Sequence, residues 1–192
     1  NVYVKNLLTS FKSIKILTNY LYSNHIIIYM EKIKITKLPT SYWAEYKKFR
    51  LLAVTDTPFA FGENIESTKK QSKKKWIEQI KNMIFAMHDD KIIGMLALVE
   101  GRSANTKHWA EIFSVFVNKD YRKKGIAKKL FIKAFDIAKK KKYIKVKIAV
   151  NTINKPAYNL YKKMGFVKVG KISKELKINE IYYDEYILEK LL

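Results

Sequence analysis

Apolar and polar positions change period several times along this chain, and each change marks an element. Ile33 to Leu38 begins in alternation and predicts a first strand. Ser41 to Val54 reads as a helix, with Trp43, Tyr46, Phe49 and Arg50 spaced around its turns. A loop runs from Asp56 to Gly62 through Pro58-Phe-Ala-Phe-Gly62, and Lys73 to Lys81 is a second helix. Met83 to His88 and Lys91 to Val99 form a hairpin about Asp89-Asp90. Glu111 to Val117 is a strand whose alternation places Glu111 on the face of Phe113, Val115 and Val117. Gly125 to Lys140 is the main helix, and Lys145 to Val150 alternates as another strand. Asn154 can cap the next helix, and Pro156 fits its first turn. Ala157, Leu160, Tyr161 and Met164 share one face of that helix, and Gly165 stops it. Phe166 to Val169 and Ile181 to Leu188 complete the strands. Alternating strands and helices between terminal hairpins predict a mixed sheet with helices on its faces, without an internal repeat or a second domain.

Chemistry enters at Arg122-Lys-Lys-Gly-Ile-Ala127, between the strand ending at Val117 and the main helix. The first amides of a helix have no partner inside it and carry partial positive charge, so a strand, a turn and a helix start form an anion site. Gly125 lets backbone approach the ligand with no Cβ in the way. A phosphate or pyrophosphate is the expected anion. The segment has no Gly-Lys-Ser/Thr and only one glycine, which sets it apart from a Walker loop and from a dinucleotide fingerprint.

The R-x-x-G-x-A of 122–127, followed by the N-x-x-A-x-x-L-Y-x-x-x-G-F of 154–166, resembles the GNAT superfamily of N-acetyltransferases. The likeness runs from about Met30 to Leu192. It implies an α/β (α+β) fold: a central mixed, mostly antiparallel sheet of six or seven strands with helices on both faces. It also implies an acyltransferase that moves an acetyl group from acetyl-CoA to a primary amine by direct attack in a ternary complex. Arg122, Lys123, Lys124, Gly125, Ile126 and Ala127 would hold the pyrophosphate; the family commonly has glycine where this chain has Lys123. Backbone groups of Val115 and Val117 would pair with the pantetheine arm, the Val115 amide would face the thioester oxygen, and Asn154 would bond to the arm or merely cap its helix. Glu111 is the candidate general base, because a protonated amine must lose its proton before it attacks. Tyr161 is the candidate acid for the departing thiolate. The acceptor site would draw on Phe59, Phe61, Glu63, Glu111 and the Tyr182-Tyr183-Asp184-Glu185 segment. The acceptor itself is open: a small-molecule amine, or the amine of a peptide or protein.

Composition narrows the alternatives. The 192 residues are 48% apolar and 14% aromatic, enough for a real core. There is no cysteine, which excludes disulfides, a thiol nucleophile and zinc-thiolate sites. His25, His88 and His108 lack ligand spacing, so no metal is expected. The net charge of +22 raises nucleic acid as a partner, but the charge is almost all lysine spread along the chain, with Arg50, Arg102 and Arg122 the only arginines. A basic nucleic-acid-binding protein and an acyl-CoA-binding module without turnover are the competing readings; no dedicated nucleic-acid partner is expected. Residues 1–29 match no part of the family pattern, and Met30 resembles a domain start. They read as an extension or upstream read-through, or as a helix docked on the domain or on a second copy in a homodimer. Their longest charge-free run is too interrupted for a membrane span, so no membrane partner and a cytoplasmic setting are expected.

Overall fold

The alternating segments pair into one seven-stranded sheet, in a computed structural model that describes residues 32–192. The proposed extension, 1–29, lies outside the described residues. Ile35–Leu192 forms one compact unit, which carries the helices of the described residues. The strands are β1 (Lys34–Thr36), β2 (Met83–His88), β3 (Lys91–Glu100), β4 (Trp109–Val117), β5 (Lys145–Asn151), β6 (Val167–Ile178) and β7 (Ile181–Leu191), in the order β1-β2-β3-β4-β5-β7-β6. The β4–β5 pair is parallel, whereas β2–β3, β3–β4, β5–β7 and β6–β7 are antiparallel. The expected mixed, mostly antiparallel sheet is therefore present.

The helices divide between the two faces. On one side lie α1 (Trp43–Asp56), α2 (Ile65–Lys69) and α3 (Lys73–Ile80). Tyr46, Phe49, Ala53 and Val54 of α1 and Trp76 and Ile80 of α3 pack with Met83, Phe85, Met95, Ala97 and Phe116 of the sheet. Tyr46 meets Trp76 and Phe85 edge-on at ring-centroid distances of 5.5 and 5.7 Å, a favourable arrangement for ring quadrupoles. Burial pushes the Tyr46 phenol up to about 12. On the other side α4 (Ile126–Lys140) buries Ile126, Leu130, Phe131, Ala134 and Ala138, a helical stripe. Phe131 joins α4 to α5 (Lys155–Lys163), with its ring 5.5 Å from Tyr161 and 5.9 Å from Phe166.

One strand runs further than its pattern indicates, and one short helix was not expected. Phe166–Val169 was the expected sixth strand, but β6 continues to Ile178, through Lys174 in a left-handed conformation (φ 55°) and a register shift between Ile172 and Leu176. The shift breaks the strict alternation, which hides the strand. α2 is a short helix between the two expected ones, started by Asn64, whose side chain accepts from the Ser67 amide at 2.8 Å. Asp89 and Asp90 both take positive φ, 46° and 60°, as a two-residue hairpin turn requires. No helix among the described residues is long and apolar enough to cross a membrane.

Phe131 is fully buried where α4, α5 and the loop after α5 meet. Phe131→Ala should lower unfolding free energy by about 3–5 kcal/mol, read as a fall in the denaturant midpoint with an unchanged slope.

Candidate functional site

β4 and β5 pair only from Trp109↔Lys145 to Ile112↔Ile148. Beyond that point β4 stays with β3 as far as Gly94↔Val117, while β5 stays with β7 as far as Asn151↔Glu185. The two parallel strands therefore part at their C-terminal ends and leave a wedge. Backbone groups at the C-terminal ends of parallel strands face a natural ligand crevice. The Asn118 amide donates to the Ile93 carbonyl of β3 at 2.9 Å. Because successive residues turn their N–H and C=O to opposite edges, Val117 and Val115 present theirs to the wedge.

A bulge divides β4. Ala97 pairs with Phe113 and Met95 with Phe116, so β4 carries one extra residue there, and Ser114 sits at φ 56°. A non-glycine residue in that region costs about 1–2 kcal/mol. The bulge overturns the expected side-chain parity. Glu111 pairs with Val99, and Phe113 with Ala97, which places both on the α1 face with Phe116. Val117 pairs with Gly94, where an added Cβ would meet Leu130 of α4 at 3.3 Å. Val117 and Val115 thus face α4, and Glu111 does not share their side. The spacing of Phe113 and Phe116, three apart and both apolar, was the available signal.

Both helices that follow the parting strands begin at its mouth. α4 starts after Gly125, which takes φ 74° and has nothing within 4 Å of the position a Cβ would occupy. Lys123 also takes a left-handed conformation, φ 62°, which accounts physically for the glycine common at this place in the family. The cations around the turn are unequal. Arg122 donates from Nε to the Val117 carbonyl at 2.9 Å, binds Asp56 at the end of α1, and lies over the Phe116 ring. Its side chain fastens the turn to β4 and α1. Lys124 reaches the Asp120 carbonyl at 3.2 Å, whereas the Lys123 side chain is exposed. At α5, Asn154 accepts from the Ala157 amide at 3.2 Å and caps the helix. Tyr161 is 6% exposed, against Phe131 and Phe166, and burial raises its phenol well above the usual range, so it stays protonated.

The α1 face is acidic near the wedge. Glu111 is half-buried, and burial raises its carboxyl above the usual range, against the opposing charges of Lys147 and Arg102. Glu185 is raised by burial and then by the nearby charges of Glu175 and Glu111. A cleft of about 640 Å³ opens on this side, lined by Val54, Phe61, Glu63 and Ile65 on one wall and Glu175 to Asn179 on the other. Of the residues expected around the acceptor, Phe61 and Glu63 line this cleft, and Phe59 and Glu111 do not. The second wall comes from the β6 side of the last hairpin, not from Tyr182 to Glu185. Asp184 is instead ion-paired to Lys171 at 2.7 Å and accepts from the Lys174 amide at 2.8 Å. Arg50, buried at 7% exposure, went unrecognised in the sequence as part of the site. It donates to Ser114 Oγ at 2.7 Å and to Glu63 Oε2 at 3.3 Å, and its guanidinium lies 4.4 Å over the Phe61 ring. Among the described residues no group of three or more His, Asp or Glu is placed to hold a metal ion.

Comparison with known proteins meets this geometry from outside. The model of the acetyltransferase (GNAT) family matches residues 46–166. N-acetyltransferase 8 of Homo sapiens is 32% identical over 87 residues, covering 44% of this chain and 38% of that protein, so the match spans well under half of the relative. Among solved structures, a GNAT-family acetyltransferase from Streptococcus pneumoniae aligns with TM-score 0.76 at 21% identity, covering 83% of this chain and 99% of the other. The yncA protein of Salmonella typhimurium, described as a putative acetyltransferase with its cofactor acetyl-CoA, aligns with TM-score 0.73 at 15% identity, covering 84% and 94%. A ribosomal-protein-alanine N-acetyltransferase from Brucella melitensis aligns with TM-score 0.70 at 18% identity, covering 83% and 99%. At these identities the structural matches show the fold.

The left-handed conformation of Lys123 has a measurable consequence. Lys123→Gly should raise stability by about 1 kcal/mol by removing the strain, read as a higher melting temperature; an unchanged or lower value would mean that the turn is relaxed with lysine in place.

Proposed function

The chain belongs to the acetyltransferase (GNAT) family, and from that premise we propose that it transfers the acetyl group of acetyl-CoA to a primary amine by direct attack in a ternary complex. One observation carries the reading: β4 and β5 part beyond Ile112 and Ile148, and two helix starts stand at the mouth of the gap. The sheet separates two approaches. The donor enters from the α4 side, and the acceptor from the α1 side, where Glu111, Glu185 and the cleft lie.

In this proposal the amides of Lys124 to Ala127 hold the pyrophosphate of the donor, with Lys123 adding charge; hydrogen bonds to charged groups contribute roughly 1.5–3 kcal/mol each. Val115 and Val117 receive the pantetheine arm as an added strand, and the Val115 amide stabilises charge developing on the carbonyl oxygen. Acetyl-CoA supplies a thioester with a good leaving group. Glu111 takes the proton from the acceptor ammonium, directly or through a water, and burial, by raising its carboxyl above the usual range, makes it a stronger base than a solvated carboxylate. Tyr161, kept protonated by burial, gives its proton to the sulfur as the carbon–sulfur bond breaks. Asn154 caps α5 and keeps its NH2 group for the arm. The acceptor class is an amine; a panel of an alkyl monoamine, a polyamine, an aminoglycoside, a peptide with a free N-terminus and a lysine-rich peptide, scored by thiol release from acetyl-CoA, identifies it.

Acetyl-CoA at about 100 times its dissociation constant should stabilise the protein by roughly 2.7 kcal/mol. Gly125→Asp should abolish that shift, because the open space beside its Cα then holds a carboxylate at the phosphate site. A melting temperature unmoved by millimolar acetyl-CoA in the parent would refute donor binding.

The pH–rate profile tests the base. Burial lifts Glu111, so activity should fall as pH drops through a limb above the usual carboxylate range, where the group protonates and cannot accept. Glu111→Gln should cut turnover by about 10²–10⁴-fold, remove that limb and leave acetyl-CoA affinity in place. A profile unaltered by the substitution moves the base elsewhere.

A further inference from the structure

We propose that Arg50 is a positioning residue: through Ser114 it holds the β4 bulge that aims the Val115 and Val117 backbone, and through Glu63 and Phe61 it ties that bulge to the wall of the α1-side cleft. The proposal rests on the acetyl-transfer reading above and gives it a physical link between the acceptor's approach and the donor's edge.

Three features point to this role. Arg50 lies in the middle of α1 and is almost wholly buried, an expensive place for a charge unless every contact is specific. Its contacts are specific: Nη1 reaches Ser114 Oγ at 2.7 Å, Nη2 reaches Glu63 Oε2 at 3.3 Å, and the ring of Phe61 covers the guanidinium. Of all the β4 residues, the one it grips is Ser114, the left-handed residue at the bulge. A planar fork can hold two acceptors at a fixed angle, which a lysine ammonium does not.

The same helix grips β4 a second time, since Asp56 at its end binds Arg122, whose Nε holds the Val117 carbonyl. The stretch from Ser114 to Val117 is thus tied at both ends to α1. Glu63 also accepts from Thr68 and Gln71, both at 3.4 Å, which anchors the cleft wall behind the guanidinium. An acceptor lodged against Phe61 and Glu63 presses on the group that sets the bulge.

Ser114→Gly is the main test, because glycine adopts the left-handed backbone freely while losing the hydroxymethyl group that Arg50 holds, and Ser114→Ala, which removes only the hydroxyl, should change kcat and exchange in the same direction. The expected result is a melting temperature at or above the parent's and an acetyl-CoA dissociation constant within about threefold. With the best acceptor from the panel, kcat should be lower by roughly tenfold. Hydrogen exchange without acetyl-CoA should quicken at residues 113–117 and not elsewhere in the sheet. Arg50→Lys should act in the same direction. Glu63→Gln combined with Ser114→Gly should lose less than the product of the single losses, since both act through one guanidinium. Unchanged kcat, unchanged exchange at 113–117, or a kcat loss matched by equal loss of cofactor affinity or stability overturns the proposal. A parent protein that neither binds nor turns over acetyl-CoA refutes the acetyl-transfer reading instead, and the exchange comparison still decides whether Arg50 holds the bulge.

Discussion

Backbone hydrogen bonding between β4 and β5 ends at Ile112 and Ile148, and the site is built around that interruption. Paired backbone groups are the rule in a protein interior, so strands that part leave donors and acceptors in need of a partner. Each strand keeps its outer neighbour, β3 for β4 and β7 for β5, so the sheet stays whole while its middle opens. The opening lies at the C-terminal ends of two parallel strands, so each strand leads directly into a helix start, and two positive helix ends converge on one gap. An extended ligand with an anionic end fits such a gap on elementary grounds.

The bulge at Ser114 adds a second constraint. It exchanges the faces of β4, so that Glu111 and Phe113 serve one side of the sheet and Val115 and Val117 the other. Without the extra residue, Glu111 and the α4-facing valines would share a side, and one strand could not offer different chemistry to each face of the sheet. Strain at a left-handed serine accompanies this arrangement, and a buried guanidinium holds it.

The sequence exposed local features well and long-range ones poorly. The turn at 122–127, the cap at Asn154 and the inward face of Tyr161 follow from spacing within a few residues: α4 starts after Gly125, Asn154 caps α5, and Tyr161 packs against Phe131. Register was not legible. One residue of slip in β4 reversed the side assigned to Glu111 relative to Val115, and a similar slip in β6 concealed most of that strand. Arg50 was read only as a helix position, because its partners Glu63 and Ser114 stand 13 and 64 residues away in sequence. Likewise Arg122 looked like a phosphate ligand by its place in the turn, whereas its guanidinium is engaged by Asp56, 66 residues earlier.

The outer strand β6 carries a consequence for behaviour in solution. It borders the sheet for twelve residues, and Val167, Val169 and Ile172 are exposed along it. A long edge with apolar side chains is a template on which another chain can add a strand. Here Lys168, Lys171, Lys174 and Lys177 stand among those apolar positions, and the left-handed Lys174 twists the edge out of register. A second copy brought up edge to edge would meet like charge and a broken ladder. Some of the lysine excess thus works against edge-to-edge association, a colloidal duty separate from whatever the turn at 122–127 does beside the opening in the middle of the sheet.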